Sequence, residues 1–317
     1  GQLLKALLPL LHRLFPICGL LHVEELKCEL NRDLKALFCS LFEVGDVEYA
    51  IFCGTPCVHQ KITIQLNTGK RILGYCKVSD SKEIADLFSK ESEMLSFLSE
   101  KKIEDVPLCL FRGEWKDGVH LFIQTTTKTN RSRVVHQWGN LQESFLIRLH
   151  QASRKDLCFE DSDYYKTLIA LKQHTDWLPN REAMELVNSV LRDVLSRNRN
   201  KQMEYSVYHG DFTPWNMFVE SGKLFVFDWE YAKMTYPPML DSYHYFMQTA
   251  IFECHWGVND ITDYINSKGK RWMSQESFSY YLLDVISRFT IREKGVFEGD
   301  VLKSMNMWLA LLKYLNR

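Results

Sequence analysis

The sequence predicts a bilobal α+β fold, with a small strand-rich N-terminal lobe and a larger helical C-terminal lobe. Three observations carry this. Strand-like periodicity dominates residues 47–125, helix-like periodicity dominates most of residues 126–317, and one extended island interrupts the helices at residues 205–228. Strands followed by helices, rather than strands alternating with helices, distinguish an α+β arrangement from βαβ units. The 317 residues, 46% of them hydrophobic and 25% charged, supply apolar content for one large domain or two smaller ones. The expected divisions are an N-terminal helical extension at 1–45, an N-lobe at 46–126 and a C-lobe at 127–317.

Residues 3–21 form the most apolar stretch, but Lys5, His12 and Arg13 interrupt it and Pro9 and Pro16 break it. Spanning a bilayer takes about 18–20 consecutive apolar residues, so no transmembrane segment is predicted. The stretch reads as a pair of amphipathic helices packing on the body of the protein. A peripheral membrane contact through residues 1–22 is the competing account. Strands are expected at 47–53, 61–66 and 72–78, with the last two joined by the turn Asn67-Thr68-Gly69-Lys70. Asp80, with Glu83 three residues on, has the spacing of a capping box and opens a helix reaching to about residue 101. Two further strands, at 107–114 and 118–125, flank the turn Lys116-Asp117-Gly118. In the C-lobe, helices are expected near 140–152, 181–197, 240–255, 276–294 and 299–315.

With 39 basic and 40 acidic side chains the net charge is -1, which gives no global reason to bind nucleic acid. Nine cysteines, an odd number with scattered spacing, make neither a zinc framework nor a secreted disulfide scaffold. A reducing, cytoplasmic setting is expected.

The chemistry concentrates in the island. It reads Tyr208-His209-Gly210-Asp211-Phe212-Thr213-Pro214-Trp215-Asn216, a short apolar strand, the turn Ser221-Gly222-Lys223, then a second apolar strand ending at Asp228. In an antiparallel hairpin Asn216 and Asp228 come out at the same end, beside the loop that carries Asp211. Converging carboxylate and amide oxygens suit a hard divalent cation such as Mg²⁺ that shares its remaining positions with phosphates.

This pattern, His-Gly-Asp, four residues, Asn, then a hydrophobic strand ending in Asp, resembles the aminoglycoside phosphotransferase and choline kinase family. That family is the small-molecule branch of the protein-kinase-like fold. The resemblance implies Asp211 as catalytic base and Asn216 and Asp228 as Mg²⁺ ligands, with ATP as phosphoryl donor. Gly210 stands where protein kinases carry Arg, and Phe227-Asp228-Trp229-Glu230 replaces their Asp-Phe-Gly. Asp241, after Tyr236-Pro237-Pro238, is implied to brace the catalytic loop together with His209, and a helix N-cap is a compatible role.

A nucleotide site adds a strand Lys and a helix Glu. Lys77 fits the first. For the second, Glu91 lies in the middle of the stripe formed by Ile84, Leu87, Phe88, Leu95 and Leu98, whereas Glu93 points to the opposite side. A carboxylate in that position needs a partner, so a Lys77–Glu91 ion pair is expected. Gly54 and Thr55, in the loop between the first two strands, are expected over the phosphates. The resemblance places Gln124 and Thr125 at the hinge that takes the base.

The expected activity is transfer of the γ-phosphoryl group of ATP to a hydroxyl of a small molecule. A dense acidic cluster for a polycationic acceptor is missing: Glu230, Glu253, Asp260 and Asp263 are diluted by Lys223, Lys233, Lys268, Lys270 and Arg271. A neutral or anionic sugar, or a cell-envelope saccharide intermediate, therefore fits better than an aminoglycoside; a choline/ethanolamine or aminoglycoside kinase is the alternative. A nucleotide-binding scaffold without turnover is the alternative of another class.

Overall fold

Alternating inward and outward side chains build a five-stranded antiparallel sheet in the order β1-β2-β3-β5-β4. Its strands are β1 (Glu48–Phe52), β2 (Ile62–Thr68), β3 (Arg71–Ser79), β4 (Cys109–Lys116) and β5 (Val119–Thr125). The structure, a computed structural model, describes residues 30–53 and 61–316. The chain divides after Asp46 into two compact units. In the first, α1 (Arg32–Phe42) starts at Asn31, whose side-chain oxygen accepts the Asp33 N–H at 2.8 Å. The expectations for residues 1–22 and for Gly54 and Thr55 lie outside the described residues.

In the second unit, β4 and β5 are joined at Asp117 and Gly118, both left-handed (φ 52° and 77°), which matches the twist of the paired strands. Between β3 and β4 runs α2 (Lys82–Glu100). Its N-cap is Ser81 rather than Asp80: the Ser81 hydroxyl accepts the Ile84 N–H at 3.4 Å and pairs with Glu83 at 2.8 Å. The short hydroxyl side chain reaches the third helical N–H, which leaves Asp80 one residue outside the helix. The apolar stripe of α2 is buried as expected, and Glu91 is buried within it.

The helical part comprises α3 (Asn140–Ser153), α4 (Asp163–Gln173), α5 (Arg181–Asn198), α6 (Leu240–Gln248), α7 (Val258–Asn266), α8 (Gln275–Arg292) and α9 (Gly299–Leu315). Strands β6 (Lys155–Cys158), β7 (Gln202–Tyr208) and β10 (Lys233–Tyr236) form a small sheet in the order β10-β7-β6, and β8 (Met217–Glu220) pairs with β9 (Lys223–Val226). The sequence reading lacks α4, α7, β6 and β10. The two strands have four residues each and α7 has nine, too few to establish a period. Helix α8 is buried on nearly every side and forms the axis of this part.

One buried cluster runs from Ile84, Phe88 and Leu95 of α2 through Phe122 of β5 to Phe145, Phe212, Met217, Val226 and Trp229. It fixes α2 against the β8–β9 hairpin and so sets the distance between the sheet and the residues after β9. Among the described residues no helix is long and apolar enough to cross a membrane.

Candidate active site

The hairpin puts two site residues at one end. Its register runs from Met217 opposite Val226 to Glu220 opposite Lys223, and the turn residues Ser221 and Gly222 are left-handed, at φ 50° and 80°. Asn216 closes a single 3₁₀ turn (Pro214–Asn216) just before β8, and its carbonyl accepts the Phe227 N–H at 3.0 Å. Asp228 comes next after Phe227 with φ 69°, a conformation that Asp tolerates better than most residues but that still carries strain.

Asp211 lies in the loop between β7 and this hairpin. The Asn216 amide nitrogen donates to Asp211 twice, to its carbonyl at 3.0 Å and to Oδ2 at 2.7 Å. The other carboxylate oxygen, Oδ1, is 3.0 Å from His244 Nε2. Burial opposes the charge on Asp211, but the hydrogen bond from His244, with the Arg288 charge near, outweighs it and holds the carboxyl below its ordinary value. With its nitrogen engaged, Asn216 has its amide oxygen left to face a cation.

The Lys77–Glu91 pair is formed, Nζ to Oε2 at 2.6 Å, and the same ammonium is 2.6 Å from Asp228 Oδ1. Glu91 also accepts the Trp229 backbone N–H through Oε1 at 3.3 Å. Burial works against the Lys77 ammonium, yet Asp228, Glu91 and Glu230 raise its pKa above the ordinary lysine value. Burial likewise opposes charge on Asp228, and Lys77 followed by Lys61 overcomes it, holding that carboxyl far below its usual range. Glu91, Asp228 and Glu230 bring carboxylate oxygens within 4.8 Å of one another. The ammonium groups of Lys77 and Lys61 offset two of these three charges, Lys61 bonding Glu230 directly.

The loop that carries Asp211 is braced from α6. Asp241 accepts the His209 N–H at 2.9 Å and the Gly210 N–H at 3.1 Å. Burial nonetheless pushes its pKa up to about 7, the two N–H donors offsetting part of the effect. His209 accepts the Asp211 N–H on Nδ1 at 3.1 Å and meets the Phe227 carbonyl through Nε2 at 3.1 Å. Burial lowers its pKa to about 4, so it is neutral. Gly210 has φ +81°, and a Cβ there would sit 2.7 Å from the Tyr231 carbonyl oxygen. No other residue fits without displacing that backbone. Arg288 of α8 donates to the Gly210 carbonyl.

At the end of β5, the Thr125 N–H donates to the Leu108 carbonyl at 2.9 Å and its hydroxyl accepts the Leu108 N–H at 2.9 Å. Pairing with the approach to β4 thus occupies its backbone donor. Gln124 is buried, with its side-chain oxygen unbonded.

The contacts of three contributors escape the sequence reading: those of His244, Arg288 and Lys61. For His244 a signal exists, because it stands three residues after Asp241 and shares a helix face with it. Nothing in the sequence ties Lys61 to Glu230, 169 positions away. Of the aromatic residues that follow Asp228, Trp229, Tyr236, Tyr243 and Tyr245 are buried core, whereas Tyr231 lines a cavity of about 430 Å³ together with Arg288. A larger cavity of about 750 Å³, lined by Trp138, Leu146, Ile147, Phe246 and Trp256, includes neither Asp211 nor Lys77.

Residues 114–246 match the family described as APH, phosphotransferase enzyme family. No curated protein matches the chain significantly in sequence. Among solved structures, a thermostable mutant of aminoglycoside phosphotransferase APH(4)-Ia in apo form superposes with a TM-score of 0.60 at 14% identity, covering 88% of this chain and 98% of that one. A mutant of the same enzyme in ternary complex with ADP and hygromycin B gives 0.55 at 13% identity, with 89% and 98% covered. Choline kinase LicA from Streptococcus pneumoniae gives 0.55 at 17% identity, with 90% and 98% covered. At these identities the likeness establishes the fold, which is protein-kinase-like. The matched residues 114–246 include the Asp211 loop, the β8–β9 hairpin and Asp241, so the likeness to the phosphotransferase enzyme family falls on the segment that builds this site.

Proposed function

We propose that the chain is a small-molecule kinase that moves the γ-phosphoryl group of ATP to an acceptor hydroxyl, with a sugar or saccharide intermediate as the acceptor. The observation that carries this reading is the linkage of Lys77, held on one side by Glu91 and on the other by Asp228 at 2.6 Å each, together with a partly exposed, ionised Asp211.

Lys77 is kept charged and fixed in place, which suits it to hold donor phosphates. Asp211, with one oxygen on His244 and the other on Asn216, is oriented to accept a hydrogen bond from the acceptor hydroxyl. Its depressed pKa makes it a weak base. Phosphoryl transfer through a loose transition state asks for positioning and electrostatic stabilisation more than for proton abstraction. The donor set suits Mg²⁺: the Asn216 amide oxygen and the Asp228 carboxylate are hard oxygens at one end of one hairpin. Bound there, Mg²⁺ would neutralise charge on the transferred group.

Thermal melting with and without Mg·ATP, for the wild type and for Asp228→Asn, tests the reading. A ligand at about 100 times its Kd adds roughly 2.7 kcal/mol, several degrees for a chain of this size. A magnesium-dependent shift in the wild type that disappears in the variant is expected. Asp211→Ala should keep nucleotide binding and lose turnover. Full turnover in that variant would remove the assigned role.

A further inference from the structure

The cavity of about 430 Å³ lies where three elements meet: Lys90 on α2, Lys233 on β10 and Arg288 on α8 all line it. It abuts the catalytic machinery on two sides. Arg288 donates to the carbonyl of Gly210, the residue before Asp211, and Glu230 on its wall lies 3.9 Å from Lys77 Nζ.

Its charges do not cancel. Each carboxylate on the wall already has partners: Asp163 pairs with Lys166, also on the wall, at 2.9 Å, Glu230 pairs with Lys61, and Asp284 accepts from the hydroxyls of Tyr208 and Tyr236 at 2.9 Å each and lies 3.9 Å from Arg288 Nη2. Lys90 and Lys233 have no carboxylate within ion-pair distance among the described residues. Arg288 presents Nε and Nη2, both buried and without a hydrogen-bond partner. Its guanidinium is 5.5 Å from the centre of the Tyr231 ring. Burial, and then the positive charge of Lys90, lower the pKa of Lys233. Two ammonium groups without a carboxylate partner thus gather beside this loop with two buried guanidinium donors, of which Nη2 lies 3.9 Å from Asp284, in ion-pair range but not hydrogen-bonded.

We propose that this cavity binds an anionic group, a phosphate or carboxylate, carried by the acceptor. The proposal rests on the kinase reading above and narrows it. Ammonium and guanidinium groups form strong charge-assisted hydrogen bonds to such oxyanions, and the guanidinium fork matches their geometry. The same charges repel a polycationic acceptor. A quaternary ammonium needs an open aromatic face, and Arg288 already lies against the Tyr231 ring.

Inorganic phosphate is the probe, titrated by calorimetry into the full chain saturated with Mg·ADP, at ionic strength held constant with chloride. Binding to the wild type should weaken about tenfold or more in the Lys90→Gln/Lys233→Gln double variant, as two charge-assisted contacts are lost, with ADP affinity unchanged. Equal phosphate binding in both proteins overturns the site. If the double variant does not fold, Lys90→Gln alone, on an exposed face of α2, carries the comparison. A wild type that binds no ADP refutes the nucleotide reading instead, and phosphate binding to the nucleotide-free proteins then decides the anion site separately. In an ATP-consumption screen of hydroxylated compounds, the acceptors turned over should bear a phosphate or carboxylate, and the double variant should raise their KM with little change in kcat. Turnover of a neutral or cationic acceptor, equal in both proteins, would show that the anion is not the acceptor's own.

Discussion

His244 Nε2 lies 3.0 Å from Asp211 Oδ1, and the Tyr281 hydroxyl lies 3.2 Å from His244 Nδ1. Burial raises the pKa of Tyr281, so its hydroxyl stays protonated and donates to Nδ1, which leaves the imidazole proton on Nε2 facing the carboxylate. A neutral histidine therefore fixes Asp211. His244→Ala should reduce kcat about tenfold to a hundredfold, the loss expected for a hydrogen bond to a charged group, with little effect on nucleotide affinity. His244→Gln, whose amide can still donate, should recover part of the loss. Wild-type kcat in His244→Ala would show that Asp211 does not depend on this contact.

Gly210 makes a sharper steric prediction. Its φ is +81°, and the Tyr231 carbonyl oxygen would come within 2.7 Å of any Cβ at this position, so Gly210→Ala must adopt a disfavoured conformation and also displace backbone. The expected loss is about 2–4 kcal/mol of unfolding free energy, read from urea midpoints. An unchanged midpoint would mean that the Tyr231 segment yields freely.

The hairpin, the Asp211 loop and the Lys77–Glu91 pair were all legible because local rules determine them. A two-residue turn between short apolar strands fixes which ends meet, and helical periodicity places Glu91 inside an apolar stripe, where it needs a cation. The contacts of Asp211 depended on tertiary packing. His244 reaches it from α6, and Arg288 reaches the adjacent Gly210 carbonyl from α8, a helix whose almost uniform burial hides any functional face. Gly210 was legible as a departure from the protein-kinase pattern, but its cause, the approach of Tyr231, emerges only in three dimensions. The Asp80 cap failed by one residue because Asp80 and Ser81 are both good caps and sequence cannot rank neighbours of equal propensity.

Glu91 joins the sheet to the segment after Asp228, through Lys77 on one oxygen and the Trp229 N–H on the other. Glu91→Ala strips a buried ammonium of one partner, leaves a backbone donor unsatisfied and opens a void beside Trp229. A destabilisation of about 3–5 kcal/mol is expected, together with weaker nucleotide binding. Glu91→Gln keeps the shape and an acceptor oxygen, so its cost should be clearly smaller. Equal effects of the two substitutions would place the contribution of Glu91 in its charge alone.

His209 and Asp241 are hydrogen-bonded neighbours whose protons respond to pH in opposite senses. Burial lowers His209 from 6.5 to about 4, so between those values the unfolded chain binds a proton that the native chain does not, and stability falls on acidification through that window. Burial raises Asp241 from 3.8 to about 7, so between those values the native chain holds a proton that the unfolded chain has lost, and stability falls as pH rises. Each effect amounts to about 3–4 kcal/mol across its window, and in the wild type the two largely offset each other. Asp241→Asn should expose the histidine slope, losing stability relative to the wild type as pH drops from 6.5 to 4. His209→Asn should expose the aspartate slope and gain stability relative to the wild type over the same drop. Denaturant midpoints at several pH values for the three proteins read both signs. Parallel profiles would mean that neither group changes its protonation on folding.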